Sequence, residues 1–208
     1  MASIRFIVYS DYLCPWCFNA SVRLHRLRDQ FAGRVELEWR SFLLRPEPDP
    51  NRSLEKFREY TRSWMRPGGE EDSGSFRAWE TDEGPPSHSV PPHLVAKAAA
   101  TLGPEAFERM HERLLCAYFT ENHDVTHPDT LRTLWKELGF PDEAFARADD
   151  PALLRCILEE HNEAVQYGAG GVPAVRLDGN EAVITGAHPY ELYERWAERA
   201  LRSAQPGE

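Results

Sequence analysis

Two cysteines three residues apart, Cys14 and Cys17, constrain this chain more than any other feature because of what flanks them. The apolar run Ile4-Arg5-Phe6-Ile7-Val8-Tyr9 precedes them and predicts a buried strand. Ala20, Leu24, Leu27 and Phe31 follow at helical spacing, with Gly33 as a stop. The pair therefore falls where a strand hands over to a helix, and Pro15 suits the first helical turn. Cys14 is expected exposed at the open end of that helix, where free backbone N–H groups and the helix dipole favour a thiolate over a thiol. Cys17, one turn in, is placed to resolve a mixed disulfide. These residue types at this spacing point to thiol–disulfide exchange.

Spacing argues against other uses of a Cys-x-x-Cys pair. Half a zinc site needs a second ligand pair, but Cys116 and Cys156 stand alone and no second Cys-x-x-Cys lies at ribbon spacing. His123 and His127 are four apart, and Pro128 makes His127 read as a helix entry rather than a ligand. No metal is expected. Cys116 and Cys156 lie among Leu114, Leu115, Leu153 and Ile157 and read as small buried hydrophobes, with a disulfide between them as the lesser reading. Asp11 reads as a loop-orienting or capping residue without a catalytic role.

The rest of the chain divides by periodicity. Val35 to Arg40 alternates apolar and charged residues, as a half-buried strand does, and should pair parallel to the first strand through a right-handed crossover. Arg45 to Pro50 reads as an exposed loop. Helices are expected over 54–65, from Pro91 to Gly103, from Pro104 through Phe119, over 128–138 and over 151–167. The 66–92 stretch reads as a long loop, with Phe76 and Trp79 acting either as a cover for the cysteines or as a peg into a groove. Ala174-Val175-Arg176-Leu177 and Glu181 to Thr185, joined by Asp178-Gly179-Asn180, predict a hairpin. Pro189 should open a last helix with Leu192, Trp196 and Ala200 on one face. The fold class is α/β, a βαβ…ββα frame (1–51 and 168–208) interrupted by an inserted all-helical domain (52–167).

Charge and hydropathy bound the partners. A net charge of −10 argues against nucleic acid or an anionic membrane. No apolar run has the length of a membrane span. Strand-forming residues start directly after Met-Ala-Ser, so a cytoplasmic location is expected, where a Cys-x-x-Cys is catalytic or redox-sensing rather than a staple.

Three motifs in that order resemble the thioredoxin superfamily, and within it the DsbA-like oxidoreductases of the FrnE-like, signal-less branch. They are Ser10-Asp11-Tyr12-Leu13-Cys14-Pro15-Trp16-Cys17, Gly171-Val172-Pro173-Ala174 and Ile184-Thr185-Gly186-Ala187-His188-Pro189. Ser89-Val90-Pro91-Pro92-His93 is a looser match, with Pro92 where the branch has alanine, so His93 reads as a capping or packing residue. The resemblance implies a thioredoxin-like fold and a cis Val172–Pro173 bond. It implies catalysis by Cys14 and Cys17, and substrate contacts from Pro15, Trp16, Val172 and Pro173. It implies no cofactor beyond the redox-active pair, with exchange against glutathione or against protein and small-molecule disulfides. Tryptophan at position 16, where the best-known periplasmic relatives carry histidine, means that their oxidising poise does not carry over. Two other functions share the architecture: a kappa-like glutathione-dependent isomerase or transferase, and a non-catalytic chaperone or binding module. The former usually has serine where Cys14 stands.

Overall fold

A computed structural model describes residues 2–204. Four strands form one mixed sheet in the order β2-β1-β3-β4. β1 (Ile4–Ser10) is central, parallel to β2 (Val35–Ser41) with Ile4 opposite Val35 and Ser10 opposite Ser41. On its other side β3 (Ala174–Leu177) runs antiparallel, with Tyr9 opposite Ala174, and pairs in turn with β4 (Val183–Thr185). A strand covered on both faces is apolar at successive positions rather than at alternate ones, and Phe6 to Tyr9 are all buried.

The two faces have separate cores. Phe6 and Val8 pack with Ala20, Leu24 and Leu27 of α1 (Pro15–Gln30) and with Tyr193, Ala197 and Leu201 of α9 (Tyr190–Ser203). Ile7 and Tyr9 point the other way, toward Phe42, Ala174 and Ala164 of α8 (Pro151–Gln166). The buried stripe of α9 is Tyr190, Tyr193, Ala197 and Leu201, one position along from the expected Leu192, Trp196 and Ala200, which form its half-buried flank. The tyrosines make the difference: their rings bury while their hydroxyls find Gln30 and the Gly186 carbonyl. β4 begins at Val183 rather than Glu181, because the Asn180 side chain takes the Ala182 N–H and lengthens the turn.

Between β2 and β3 lie α2 (Leu54–Thr61), a 3₁₀ turn (Arg62–Trp64), α3 (Met65–Gly68), α4 (Val90–Ala100), α5 (Pro104–Phe119), α6 (Pro128–Glu137), the short α7 (Asp142–Phe145) and α8. Trp64, Trp79, Met110, Leu114 and Phe119 centre their core, which Tyr12, Leu13 and Phe18 of the cysteine segment enter from the frame. The 69–89 loop is pegged rather than draped. Trp79 is buried against Trp64 and Phe57, its N–H donates to Thr61 Oγ1 (2.9 Å), and Phe76 packs edge-on to Phe18. Gly74 passes so close to α1 that a Cβ would stand 2.3 Å from the Phe18 ring, and its N–H donates to Asn19 Oδ1 (3.1 Å). His127 sits at the start of α6, as its neighbour Pro128 suggests. Cys116 and Cys156 are free and half-buried, more open than small core hydrophobes would be.

Candidate active site

Cys14 occupies the N-cap of α1 in an extended conformation, Pro15 takes the first helical position, and the first turn carries no acidic residue. The geometry follows from the sequence: Pro15 lacks the N–H that the helix could not satisfy there, and its φ is already helical. The Cys14 N–H donates to the Asp11 carbonyl (3.1 Å) and the Cys17 N–H to the Cys14 carbonyl (3.0 Å), and the Cys14 sulfur lies beside the Cys17 thiol. The Cys14 Sγ–H donates to the Val172 carbonyl (3.3 Å), and the Val172–Pro173 peptide is cis. Segments more than 150 residues apart in the sequence thus meet at one sulfur.

Cys14 is 4 % exposed, not open as its position at a helix start suggested, and Cys17 is 0 % exposed. Burial pushes the Cys17 thiol well up, and the Cys14 sulfur beside it adds to the rise, while the Asp11 backbone and the Ser10 hydroxyl pull it down. Pro15 and Trp16 are half-buried on the first turn, and the Arg66 guanidinium lies 5.8 Å from the Trp16 ring centre. Val172 is half-buried and Pro173 buried. The residues expected to form a site are therefore gathered on the α1 start and the 172–173 segment.

Several residues around them carried no functional reading in the sequence. Asp11 is buried completely, its Oδ1 accepting the Leu13 N–H (2.6 Å) and its Oδ2 the Leu44 N–H (2.7 Å). Burial raises its carboxyl to about 6, and those two donors with the Ser89 hydroxyl hold back the rise. It is a loop-orienting group, as its place before the cysteines suggested. Ser89 spends its hydroxyl on the Arg45 N–H (3.0 Å) rather than capping α4. Arg23, also buried, clasps the carbonyls of Glu71 (2.8 Å) and His188 (2.9 Å) and the Glu70 carboxylate (2.8 Å), joining α1 to two loops. Above the loop, Tyr12 bonds His111 Nδ1 (3.1 Å) and packs on His93, with ring centres 4.8 Å apart. His111 was detectable as a polar residue among the apolar positions of α5, four after Phe107 and three before Leu114.

The DSBA-like thioredoxin domain family matches over residues 5–196. The uncharacterised protein YwbO of Bacillus subtilis (strain 168) is 27 % identical over 211 residues, spanning 93 % of this chain and 95 % of that protein. A solved structure from Nitrosomonas europaea superposes with a TM-score of 0.81 at 17 % identity, covering 98 % of this chain and 100 % of the other. The cytosolic disulfide reductase DsbM of Pseudomonas aeruginosa, which has also been solved with GSH, superposes with a TM-score of 0.76 at 21 % identity over 96 % of this chain and 100 % of its own. At these identities the structural likeness concerns the fold.

Proposed function

The chain belongs to the DSBA-like thioredoxin domain family, and from that premise we propose that it is a thiol–disulfide oxidoreductase working through Cys14 and Cys17. One observation carries the reading: the N-cap sulfur of Cys14 rests on the Val172 carbonyl while Cys17 lies one turn behind it in the same helix. Cys14 is the nucleophile. Its sulfur attacks a substrate disulfide, forms a mixed disulfide and releases one substrate thiolate. Cys17 then attacks the Cys14 sulfur, and the second substrate thiolate leaves; run backward, the same steps oxidise a substrate dithiol. The burial that raises the Cys17 thiol keeps the resolving sulfur protonated until Cys14 is engaged.

The Val172 carbonyl has a second role in this reading. It accepts the Cys14 S–H in the resting dithiol, and once that proton has gone it is free to accept a backbone N–H of an extended substrate, in the manner of strand addition. The half-buried Pro15 and Trp16 on the first turn of α1 and the buried Pro173 complete the substrate contacts of this reading. Substrates are protein or small-molecule disulfides, with glutathione as an exchange partner, and the likeness to a reductase solved with GSH supports including the latter. A cytoplasmic setting belongs to the same reading, supported by the likeness to a cytosolic reductase. Among the described residues no helix is long and apolar enough to cross a membrane. We also propose the division into a frame (1–51, 168–208) and an inserted helical domain (52–167) as the working description of the chain.

The test is turnover of insulin disulfides with a thiol donor. Wild-type protein is expected to accelerate it, Cys14→Ser to abolish it, and Cys17→Ser to accumulate a mixed disulfide visible as a mass increase on the intact protein. Activity that survives Cys14→Ser overturns the assignment. A glutathione-linked isomerisation that survives Cys17→Ser moves the chain to the kappa-like class.

A further inference from the structure

Cys17 must lose a proton before it can close on Cys14, yet its thiol is sealed from solvent. The route out starts at Ser10, whose hydroxyl favours the Cys17 thiolate and which stands opposite Ser41 at the ends of β1 and β2. Ser10 also lines a small cavity, with Tyr12, Trp39, Ser41, His93 and His111 among its other walls. Its volume is about 10 Å³, close to what a single water requires. Three side-chain atoms of that lining are buried without a hydrogen-bond partner among the described residues: Trp39 Nε1, Ser41 Oγ and His93 Nε2. The indole N–H only donates, the hydroxyl does either, and a neutral imidazole nitrogen does one or the other. Each is a ready partner for a water in that cavity.

Beyond the cavity a chain of hydrogen bonds leads to the surface. Tyr12 Oη meets His111 Nδ1 (3.1 Å), and His111 Nε2 meets Ser21 Oγ (3.1 Å). The same hydroxyl meets His25 Nδ1 (3.4 Å), and His25 Nε2 meets Glu108 Oε2 (2.6 Å). Every interior member can accept a proton on one side and release one on the other. Tyr12 and His111 are buried, His25 is nearly so, and Glu108 opens to solvent with its side chain 25 % exposed. We propose that one water fills the cavity, that it joins Ser10 to the Tyr12–His111–Ser21–His25 chain, and that this relay carries the Cys17 proton to Glu108 as the disulfide closes.

The proposal rests on the oxidoreductase reading and adds the fate of the proton. In the closing step the Cys17 S–H bond breaks and its proton enters the relay. The sulfur electron pair forms the bond to Cys14, the bond from Cys14 to the substrate breaks, and its pair departs on the substrate thiolate. The dithiol is oxidised by two electrons and the substrate disulfide is reduced by two. The charges facing the relay favour passage over storage. Burial, with Lys97 and His161 near His93 and with His25 and His93 near His111, keeps both rings neutral. Burial, with Glu108, Glu160 and Asp11 adding to it, keeps the Tyr12 phenol protonated. At the outer end Arg28 and Glu112 flank Glu108 and His25.

Two measurements decide it. A high-resolution crystal structure of the wild-type protein is expected to show one ordered water bonded to the Ser10 and Tyr12 hydroxyls and to at least one of Trp39 Nε1, Ser41 Oγ and His93 Nε2; a dry cavity, or a water that does not touch Ser10 and Tyr12, overturns the water site. The second follows oxidation of the reduced protein by oxidised glutathione with acid quenching and mass spectrometry, which separates mixed-disulfide formation at Cys14 from its resolution by Cys17. Ser21→Ala and Tyr12→Phe each remove one hydroxyl. Both are expected to slow resolution by about tenfold or more, to displace its pH profile upward and to enlarge its solvent deuterium effect. Formation of the mixed disulfide should keep its wild-type rate. Wild-type resolution and pH profile in both variants overturn the relay and send the proton directly to the departing thiolate. Wild-type protein that forms no mixed disulfide overturns the oxidoreductase reading itself, and the relay with it.

Discussion

Replacing His93 by glutamine should flatten the acid sensitivity of this fold by an amount that follows from one proton. The ring is completely buried, and burial pushes its pKa down to about 3, with the positive charge of Lys97 adding to the effect. In the unfolded chain the same histidine titrates near 6.5. The native pKa is depressed, so the neutral ring's contribution is fully present above about 6.5 and is lost as pH falls, because only the unfolded state then binds the proton. Between about pH 7.5 and 5.5 that loss is about 1.4 kcal/mol for His93 alone. Burial lowers His111 in the same direction, with His25 and His93 adding to the effect, and this is common to both proteins. Asp11 acts oppositely. Its native carboxyl, raised to about 6, takes up a proton there while the unfolded one does not, adding back about 0.8 kcal/mol. His93→Gln should therefore lose about 1.4 kcal/mol less than the wild-type protein across the window. His88 and His161 are shifted in the same direction but are common to both proteins and cancel. Urea unfolding at the two pH values reads the difference as about 0.7 M in midpoint change, for a slope of about 2 kcal/mol/M. Equal midpoint shifts in the two proteins would refute the burial argument, whatever the substitution does to absolute stability.

Gly74→Ala drives a Cβ into the Phe18 ring, which cannot retreat because it also packs against Phe76 and Phe119; it should destabilise by about 2 kcal/mol in thermal or urea unfolding. Arg23→Lys cannot reproduce a guanidinium fork that reaches two loops at once. It should cost about 2 kcal/mol by leaving buried carbonyls unpaired, and limited proteolysis should cut first near residues 70–72.

Much of the frame was legible because its signals are local. The strand, turn and helix around Cys14 and Cys17 are specified by an apolar run, a proline and a 3.6-residue period, and the Val172-Pro173 segment by its place before a short strand. What stayed hidden is set by distant partners. The 69–89 loop takes its course from Thr61 and Asn122, whose side chains accept the N–H groups of Trp79 and Glu80. Arg23 and Arg176 look like solvated charges in sequence but are buried. Arg176 lies under the sheet with Glu163 and the Tyr9 hydroxyl (3.1 Å), and a charge can be buried there only because its partners come from other elements. The exposure that the sequence implies for Cys14 fails for the same reason. A helix start is an open place only when nothing is packed above it, and here the 172–173 segment is.

α1 shows why the helical insertion belongs to the chemistry. Read by period it has one apolar face, Ala20, Leu24 and Leu27, which meets the sheet. In the fold it has a second: Phe18 and Val22 face the insertion core, and Ser21 reaches His111 on α5. The helix that carries the two cysteines is thus enclosed from both sides, and this enclosure raises the Cys17 thiol while separating it from water. A sulfur so enclosed needs a proton acceptor from its surroundings. The frame supplies Ser10 and Tyr12, but the imidazoles beyond them, His93 on α4 and His111 on α5, come from the insertion. The two halves are then coupled through a proton as well as through packing, so substitutions in α5 far from either sulfur should change how fast the pair closes while leaving its first encounter with substrate untouched.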